Sequence, residues 1–219
     1  MYLFEIDNSE ENPLYQSLAI SNGERQFSFL QSVVKAAVAS GHRSISQGLL
    51  EALNFHAIAC LHRHSGIYRP IAVHVRDVSG AVVFNPIGPE GVLEMMNGFI
   101  EQTNSAWEAA DPLFLAAFVV WRLCNIHPFV NGNGRTARAA GYYVLCVKMG
   151  GLLPGQEFLP TLLKESPEYR GALVAADLSA TQGSLDLTGL RNLLESLLLK
   201  QLDSAAPPET ANQGLQSAL

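Results

Sequence analysis

The stretch that most constrains this chain is DPLFLAAFVVWRLCNI, residues 111–126, where apolar side chains leave almost no polar face. A helix that is apolar nearly all round is stable in water only when other elements surround it. Asp111 reads as its N-cap, and Pro112 as its first residue, where a missing N–H costs nothing. Leu113 to Cys124 is too short to cross a bilayer and contains Arg122, so this is the centre of a helical bundle and not a membrane span. Helical spacing recurs around it. It is found in RQFSFLQSVVKAAVAS, closed by Gly41, and in a segment from about Ser46 stopping at Gly66. It returns in EGVLEMMNGFIEQTNSAW, TARAAGYYVLCVKM, EYRGALVAADL after a Ser166-Pro167 start, and TGLRNLLESLLLKQL. One segment differs. In IAVHVRDVSGAVVF, Ile71, Val73 and Val75 alternate with smaller or polar residues before a turn at Ser79-Gly80, which predicts a β-hairpin.

The expected fold is all-α, a helical core with one small β-hairpin. Residues 1–44 form an N-terminal helical lead-in, 45–203 the main domain and 204–219 a disordered tail. A length of 219 residues at 48% hydrophobic suits one domain of ordinary core size. The net charge of −6 argues against a broad nucleic-acid surface, so neither nucleic acid nor membrane is expected as a partner. Cys60, Cys124 and Cys146 each lie in an apolar stretch and read as buried free thiols in a reducing compartment. MYLFEIDNSEENPLYQ lacks a basic region followed by an apolar run, so a cytoplasmic location is expected.

Directly after the apolar helix comes HPFVNGNGRTAR, residues 127–138. Pro128 stops one helix and a new one begins near Gly134, so the segment is a connection anchored on both sides. Gly132 and Gly134 permit unusual backbone angles and close approach of a ligand. The amides that open the next helix are unpaired donors at the positive end of a dipole. Arg135 and Arg138, about one turn apart, can face one point, and guanidinium pairs suit bidentate phosphate binding. His127 at the loop's edge is the side chain best suited to act as a base near neutral pH. A base beside a phosphate cradle points to transfer of a phosphate-bearing group to a hydroxyl. No Lys-Ser or Lys-Thr follows the glycines, so the loop is not a Walker loop.

These residues resemble the signature H-x-F-x-x-G-N-G-R-x-x-R of the Fic family, through His127, Phe129, Gly132, Asn133, Gly134, Arg135 and Arg138. GIYRPIAVHV resembles that family's approach to its hairpin, the flap, and the resemblance covers roughly residues 45–200. It implies the Fic fold and a protein adenylyltransferase that moves AMP from ATP, with Mg²⁺, to a Ser, Thr or Tyr hydroxyl of a target protein. His127 would deprotonate that hydroxyl. Gly132, Asn133 and Gly134 would line the anion hole, Arg135 would meet the β-phosphate region and Arg138 the γ-phosphate. Phe129 would anchor the loop, and the flap, through Ile71, Val73 and Val75, would align the target's main chain by strand addition.

One position departs from the family. Asn131 stands where it usually carries the Asp or Glu that binds Mg²⁺, leaving a neutral oxygen as a weak metal ligand. Either Mg²⁺ affinity falls while AMP transfer is kept, or a different phosphate-containing group moves, as in protein phosphorylation. A further alternative is a weakened nucleotide-binding regulator. The family's inhibitory pattern [S/T]-x-x-x-E-[G/N] finds only Thr161 with Glu165, followed by Ser166, in a segment better explained structurally. Inhibition would come from a separate protein, from another sequence within residues 1–41, or be absent. His56, His62, His64 and His74 read as surface or partly buried polar groups and not zinc ligands. Glu94, Glu101 and Glu108 read as a solvated face, Met95 and Met96 as core or pocket edge. Core packing is expected for at least one of Tyr142 and Tyr143.

Overall fold

A computed structural model describes residues 2–3, 9–76 and 79–205. Eight helices and one hairpin are described among them: α1 (Pro13–Ser40), α2 (Gln47–Ile58), β1 (Val75–Arg76), β2 (Val82–Phe84), α3 (Pro89–Ser105), α4 (Pro112–Ile126), α5 (Asn133–Lys148), α6 (Leu159–Glu165), α7 (Glu168–Thr181) and α8 (Thr188–Asp203). No helix among these residues is long and apolar enough to cross a membrane.

The apolar helix is α4, and it occupies the centre of the bundle. Leu115, Ala116, Ala117, Val119, Val120, Leu123 and Ile126 are buried around its circumference. Asp111 caps it by accepting from the Phe114 amide at 2.9 Å, and Pro112 opens it. Its main neighbour is α5, itself buried from Ala139 to Val147. The two backbones approach so closely at Gly141 that an added Cβ would lie 2.4 Å from Val120 Cγ2 and 3.2 Å from the Ala116 carbonyl. α1 and α2 cover one side of α5, while α8, with α6 and α7 against it, covers the far side of the pair.

Two helix boundaries and one short helix differ from the sequence expectation. α1 begins at Pro13, twelve residues before the apolar run, because its buried stripe continues through two amides. Asn22 donates from Nδ2 to the Ala59 carbonyl (2.9 Å) and Gln26 from Nε2 to the Leu53 carbonyl (2.8 Å). α2 stops at Ile58 and does not reach Gly66. Ala59 turns extended and Cys60 adopts φ 61°, which ends the helix and leaves Cys60 exposed, unlike the expected buried thiol. Cys124 is half-buried and Cys146 buried; all three thiols are free. The short α6, which the sequence expectation does not include, buries Leu159, Pro160 and Leu163, and its Leu159 amide is received by the buried Gln201 Oε1 of α8 at 2.9 Å.

The hairpin is shorter than the alternation suggests. β1 pairs antiparallel with β2, Val75 opposite Phe84 and Arg76 opposite Val82, with an irregularity between the two pairs. Ile71 and Val73 precede the strand and do not belong to it. The Ile71 carbonyl instead accepts from Arg69 (3.2 Å), which ties that segment to the core. Glu94, Glu101 and Glu108 are exposed, Glu108 beyond the end of α3, whereas Met96, Tyr142 and Tyr143 are buried. The tail from residue 206 lies outside the described residues.

Candidate active site

α4 ends in a left-handed residue that is not glycine: His127, at φ 53° and ψ 57°. Such a conformation costs an L-residue about 1 kcal/mol or more and persists where the surroundings enforce it. Arg69 does the enforcing. It is 2% exposed, and its Nε donates to the His127 carbonyl and its backbone N–H to the Pro128 carbonyl, each at 2.8 Å. Its remaining guanidinium nitrogens reach the carbonyls of Ile71 and Ile87, so one side chain fixes the end of α4 against both bases of the flap.

The ring of His127 is held as well. Nδ1 lies 3.3 Å from the Cys124 carbonyl. A carbonyl only accepts, so Nδ1 carries the proton and Nε2 keeps its lone pair. Burial lowers the imidazole pKa from 6.5 to about 4; the Arg69 charge pushes the same way and the Cys124 contact pushes back. His127 is therefore neutral near pH 7.

The loop after it is braced from beneath. Phe129 is fully buried against Tyr68, with ring centroids 5.6 Å apart. The Asn133 side chain closes around it, accepting from the Phe129 amide (2.9 Å) and donating to the Phe129 carbonyl (2.8 Å). Asn133 thus shapes the cradle through its side chain and can offer a ligand only its backbone. Gly132 has φ 74°, and a Cβ there would stand 2.7 Å from Ile58 Cγ2. Buried Asn54 of α2 donates to the Asn131 carbonyl (2.9 Å) and to Thr136 Oγ1 (3.2 Å), fastening the loop from the other side.

Two cavities meet at Gly134, in the first turn of α5. One is a slot of about 410 Å³ bordered by His127, Val75 and Phe84 of the flap, Trp121, and Tyr169, Leu173 and Asp177 of α7. Its walls are apolar apart from a few groups. Asp177 Oδ1 accepts there from Trp121 Nε1 (2.9 Å) and Asn125 Nδ2 (2.8 Å). The other is a cleft of about 960 Å³ between α1 and α5, bordered by Gly132, Arg135, Arg138, Lys164, Tyr15 and Glu10. The sequence therefore brings both arginines to one cavity and His127 to its neighbour, with the helix N-terminus between them. Arg135 is partly engaged, donating to the Ala57 carbonyl (2.7 Å) and to Asn131 Oδ1 (3.3 Å). Of the three flap residues singled out, only Val75 borders the slot; Ile71 is 56% exposed.

The Asn131 side chain faces two ways. Oδ1 accepts from the Gly132 amide (2.6 Å) and from Arg135, while Nδ2 donates to Glu10 Oε1 at 2.7 Å. Glu10 lies next to Tyr15, whose hydroxyl is 2.8 Å from His62 Nε2 and whose pKa is raised to about 12, by burial first and then by the Glu10 charge. Mg²⁺ commonly takes one or two carboxylates together with phosphate oxygens and water. At this edge of the cleft the protein offers one carboxylate, that of Glu10, so the donor set fits such an ion beside a polyphosphate. Among the described residues no group of three His, Cys, Asp or Glu side chains is arranged for a metal.

Glu10, Asn54, Arg69 and Asp177 do not stand out in the sequence. Each lies far along the chain from the loop, and the contacts of Asn54 and Arg69 are largely to backbone carbonyls, which no residue pattern encodes.

The helical core, the hairpin beside it and the His-to-Arg loop at the α4–α5 junction define a class that comparison with known proteins identifies. Residues 46–145 match the Fic/DOC family. It is 30% identical over 154 residues to the protein adenylyltransferase Fic of Nematostella vectensis, covering 57% of this chain and 35% of that one. It is 43% identical over 56 residues to the protein adenylyltransferase fic-1 of Caenorhabditis briggsae, covering 25% of this chain and 11% of that one. The chain thus matches only about a tenth to a third of the length of these relatives. Its fold is similar to a Fic domain containing signaling protein from Bacteroides thetaiotaomicron, at TM-score 0.68 and 20% identity over 92% of this chain and 76% of that one. It is also similar to Fic-1 from C. elegans, at TM-score 0.67 and 19% identity over 91% and 55%.

Proposed function

We propose that this protein transfers AMP from ATP to a Ser, Thr or Tyr hydroxyl of a target protein, with His127 as the base. The observation that carries the proposal is a neutral imidazole, with its proton fixed on Nδ1, set beside a helix N-terminus that separates an apolar slot from a two-arginine cleft. The slot suits the two apolar faces of a nucleobase, with Asp177 and Asn125 at a polar edge. The cleft suits the charged remainder. Amides in the first turn of α5 would receive the phosphates, as helix N-termini do. Arg135 would meet the β-phosphate region and Arg138 the γ-phosphate. A Mg²⁺ ion held at the Asn131 edge would neutralise phosphate charge when bound.

In the transfer, the target hydroxyl gives its proton to His127 Nε2 and its oxygen bonds to the α-phosphorus. The bond from that phosphorus to the oxygen bridging to the β-phosphate breaks, and pyrophosphate leaves. Arg69 holds the His127 carbonyl and so keeps the ring aimed, while Val75 and the exposed Val82 and Val83 of the flap offer main chain to an added strand.

Incubation with α-labelled and, separately, γ-labelled ATP and a lysate tests the reading. Protein-bound α-label is expected, reduced roughly 10²- to 10⁴-fold in His127→Ala. Label from the γ-position alone would make this a phosphorylating enzyme. Nucleotide binding without transfer of either label would make it a regulator, and α-labelling that survives His127→Ala would refute the base.

A further inference from the structure

We infer that Glu10 supplies the carboxylate ligand to the divalent cation of the bound nucleotide, in place of the neutral Asn131; the inference rests on the proposed nucleotide-binding function. The Asn131 amide oxygen is turned into its own loop, accepting from the Gly132 amide at 2.6 Å and from the Arg135 guanidinium at 3.3 Å. An oxygen that faces a guanidinium is poorly placed to face a second cation. The other end of the same amide points outward and donates to Glu10 Oε1 at 2.7 Å. The negative charge missing from position 131 is thus present one hydrogen bond further out, on a segment 121 residues away.

Glu10 is suited to the task in three respects. It borders the same cleft as Gly132, Gly134, Arg135 and Arg138, where the phosphates would lie. Its side chain is 52% exposed, so a hydrated cation can reach it. Its position is fixed by the start of α1: Asn12 caps that helix through the Leu14 amide (2.8 Å), Tyr15 is buried on His62, and Gln16 Nε2 donates to the Glu10 carbonyl. Asn131 serves as the positioning residue, holding the carboxylate by one N–H.

The electrostatics give the inference a sign. Without a divalent cation, a carboxylate at the edge of a phosphate cleft repels the nucleotide. With the cation between them, the same carboxylate attracts it. Glu10→Gln removes the charge and keeps an oxygen that accepts from Asn131. Binding of a non-hydrolysable α,β-methylene ATP is measured by calorimetry in EDTA and with Mn²⁺ as the probe ion, and bound Mn²⁺ is followed by paramagnetic resonance. In Glu10→Gln, affinity with Mn²⁺ is expected to fall at least the roughly 10- to 100-fold that outer-shell partners of metal ligands cost. Affinity in EDTA is expected to hold or rise. Asn131→Asp added to Glu10→Gln is expected to restore the metal-dependent part, because a carboxylate returns to the site.

Unchanged or tighter binding of Glu10→Gln with Mn²⁺ would overturn the inference and make Glu10 a competitor of the phosphates. So would wild-type protein whose nucleotide affinity is the same with and without the ion. A wild-type protein that binds no nucleotide under either condition would overturn the proposed function as well, so the two failures are distinguishable.

Discussion

At the scale of the residue, His127 has one nitrogen committed to the Cys124 carbonyl and the other left with its lone pair. Its pKa, lowered from 6.5 to about 4 by burial and by Arg69, has two measurable consequences. For the proposed transfer, the acid limb of kcat/KM is expected near pH 4 to 5, with a flat profile from pH 6 to 8. A limb at 6.5 would show a solvated ring. The second consequence is stability. The unfolded chain binds a proton at this histidine below pH 6.5 and the folded chain only near pH 4, so stability is full above 6.5 and falls as pH drops toward 4. The loss due to this residue is on the order of 3 kcal/mol. Urea denaturation at pH 7 and pH 4.5 checks it, because His127→Ala should remove that part of the difference. Asn131→Asp is the second test. A carboxylate opposite Glu10 exchanges a hydrogen bond for like-charge repulsion and should cost about 1–2 kcal/mol in EDTA. Saturating Mg²⁺ should reverse that loss, and labelling at limiting Mg²⁺ should rise above wild type. A variant equally stable in EDTA, or less active at low Mg²⁺, contradicts it. The loop itself was legible in the sequence because its chemistry lies in adjacent side chains of unusual type. Glu10 and Arg69 were not, because only the fold brings them to the loop.

At the scale of the element, the proposed site depends on how closely α4 and α5 pack, since the loop that joins them is the proposed phosphate cradle. Gly141 sets that distance. Its absent Cβ leaves room for Val120 Cγ2 and the Ala116 carbonyl, neither of which is the end of a long flexible side chain. Gly141→Ala gains helix propensity of about 1 kcal/mol at most, while overpacking in a dense core typically costs about 1–3 kcal/mol. The helices should separate, with a net loss of stability in urea titration and a parallel loss of labelling as the cradle widens. Unchanged stability and activity would mean the interface adapts. Sequence patterning found the helices whose buried stripes are apolar, as in α3, α4, α5 and α8. It failed where the buried stripe is polar or local geometry intervenes. α1 extends ahead of its apolar run because Asn22 and Gln26 turn inward to carbonyls, and α2 ends before Gly66 at the left-handed Cys60, which nothing in ACLHRH marks. The strand expected from Ile71 starts at Val75 because Arg69 takes the Ile71 carbonyl.

At the scale of the whole molecule, the lead-in and the loop border one cleft. Tyr15, Ala19, Gly23 and Phe27 of α1 make one wall of the cleft whose opposite wall carries Arg135 and Arg138. α1 is held there by hydrogen bonds from its own buried amides, so its docking and the shape of the cleft are coupled. Asn22→Ala removes the donor to the Ala59 carbonyl at the turn that ends α2 and leaves that carbonyl without this partner. The cost expected for a buried unpaired group is about 1–3 kcal/mol. Leu194→Ala in α8 truncates a core side chain of α8, which does not border the cleft at that position, and should cost about 2–5 kcal/mol. The two variants separate a site effect from a stability effect. In both, urea midpoints fall, but at temperatures where each stays folded only Asn22→Ala should weaken binding of α,β-methylene ATP. The reason is that α1 alone of the two helices reaches Glu10 and Arg135 through Tyr15 and its N-terminal cap. Equal affinity in Asn22→Ala and wild type would show that α5 and its loop form the nucleotide site without the first helix. Equal weakening in both variants would show that affinity simply follows stability.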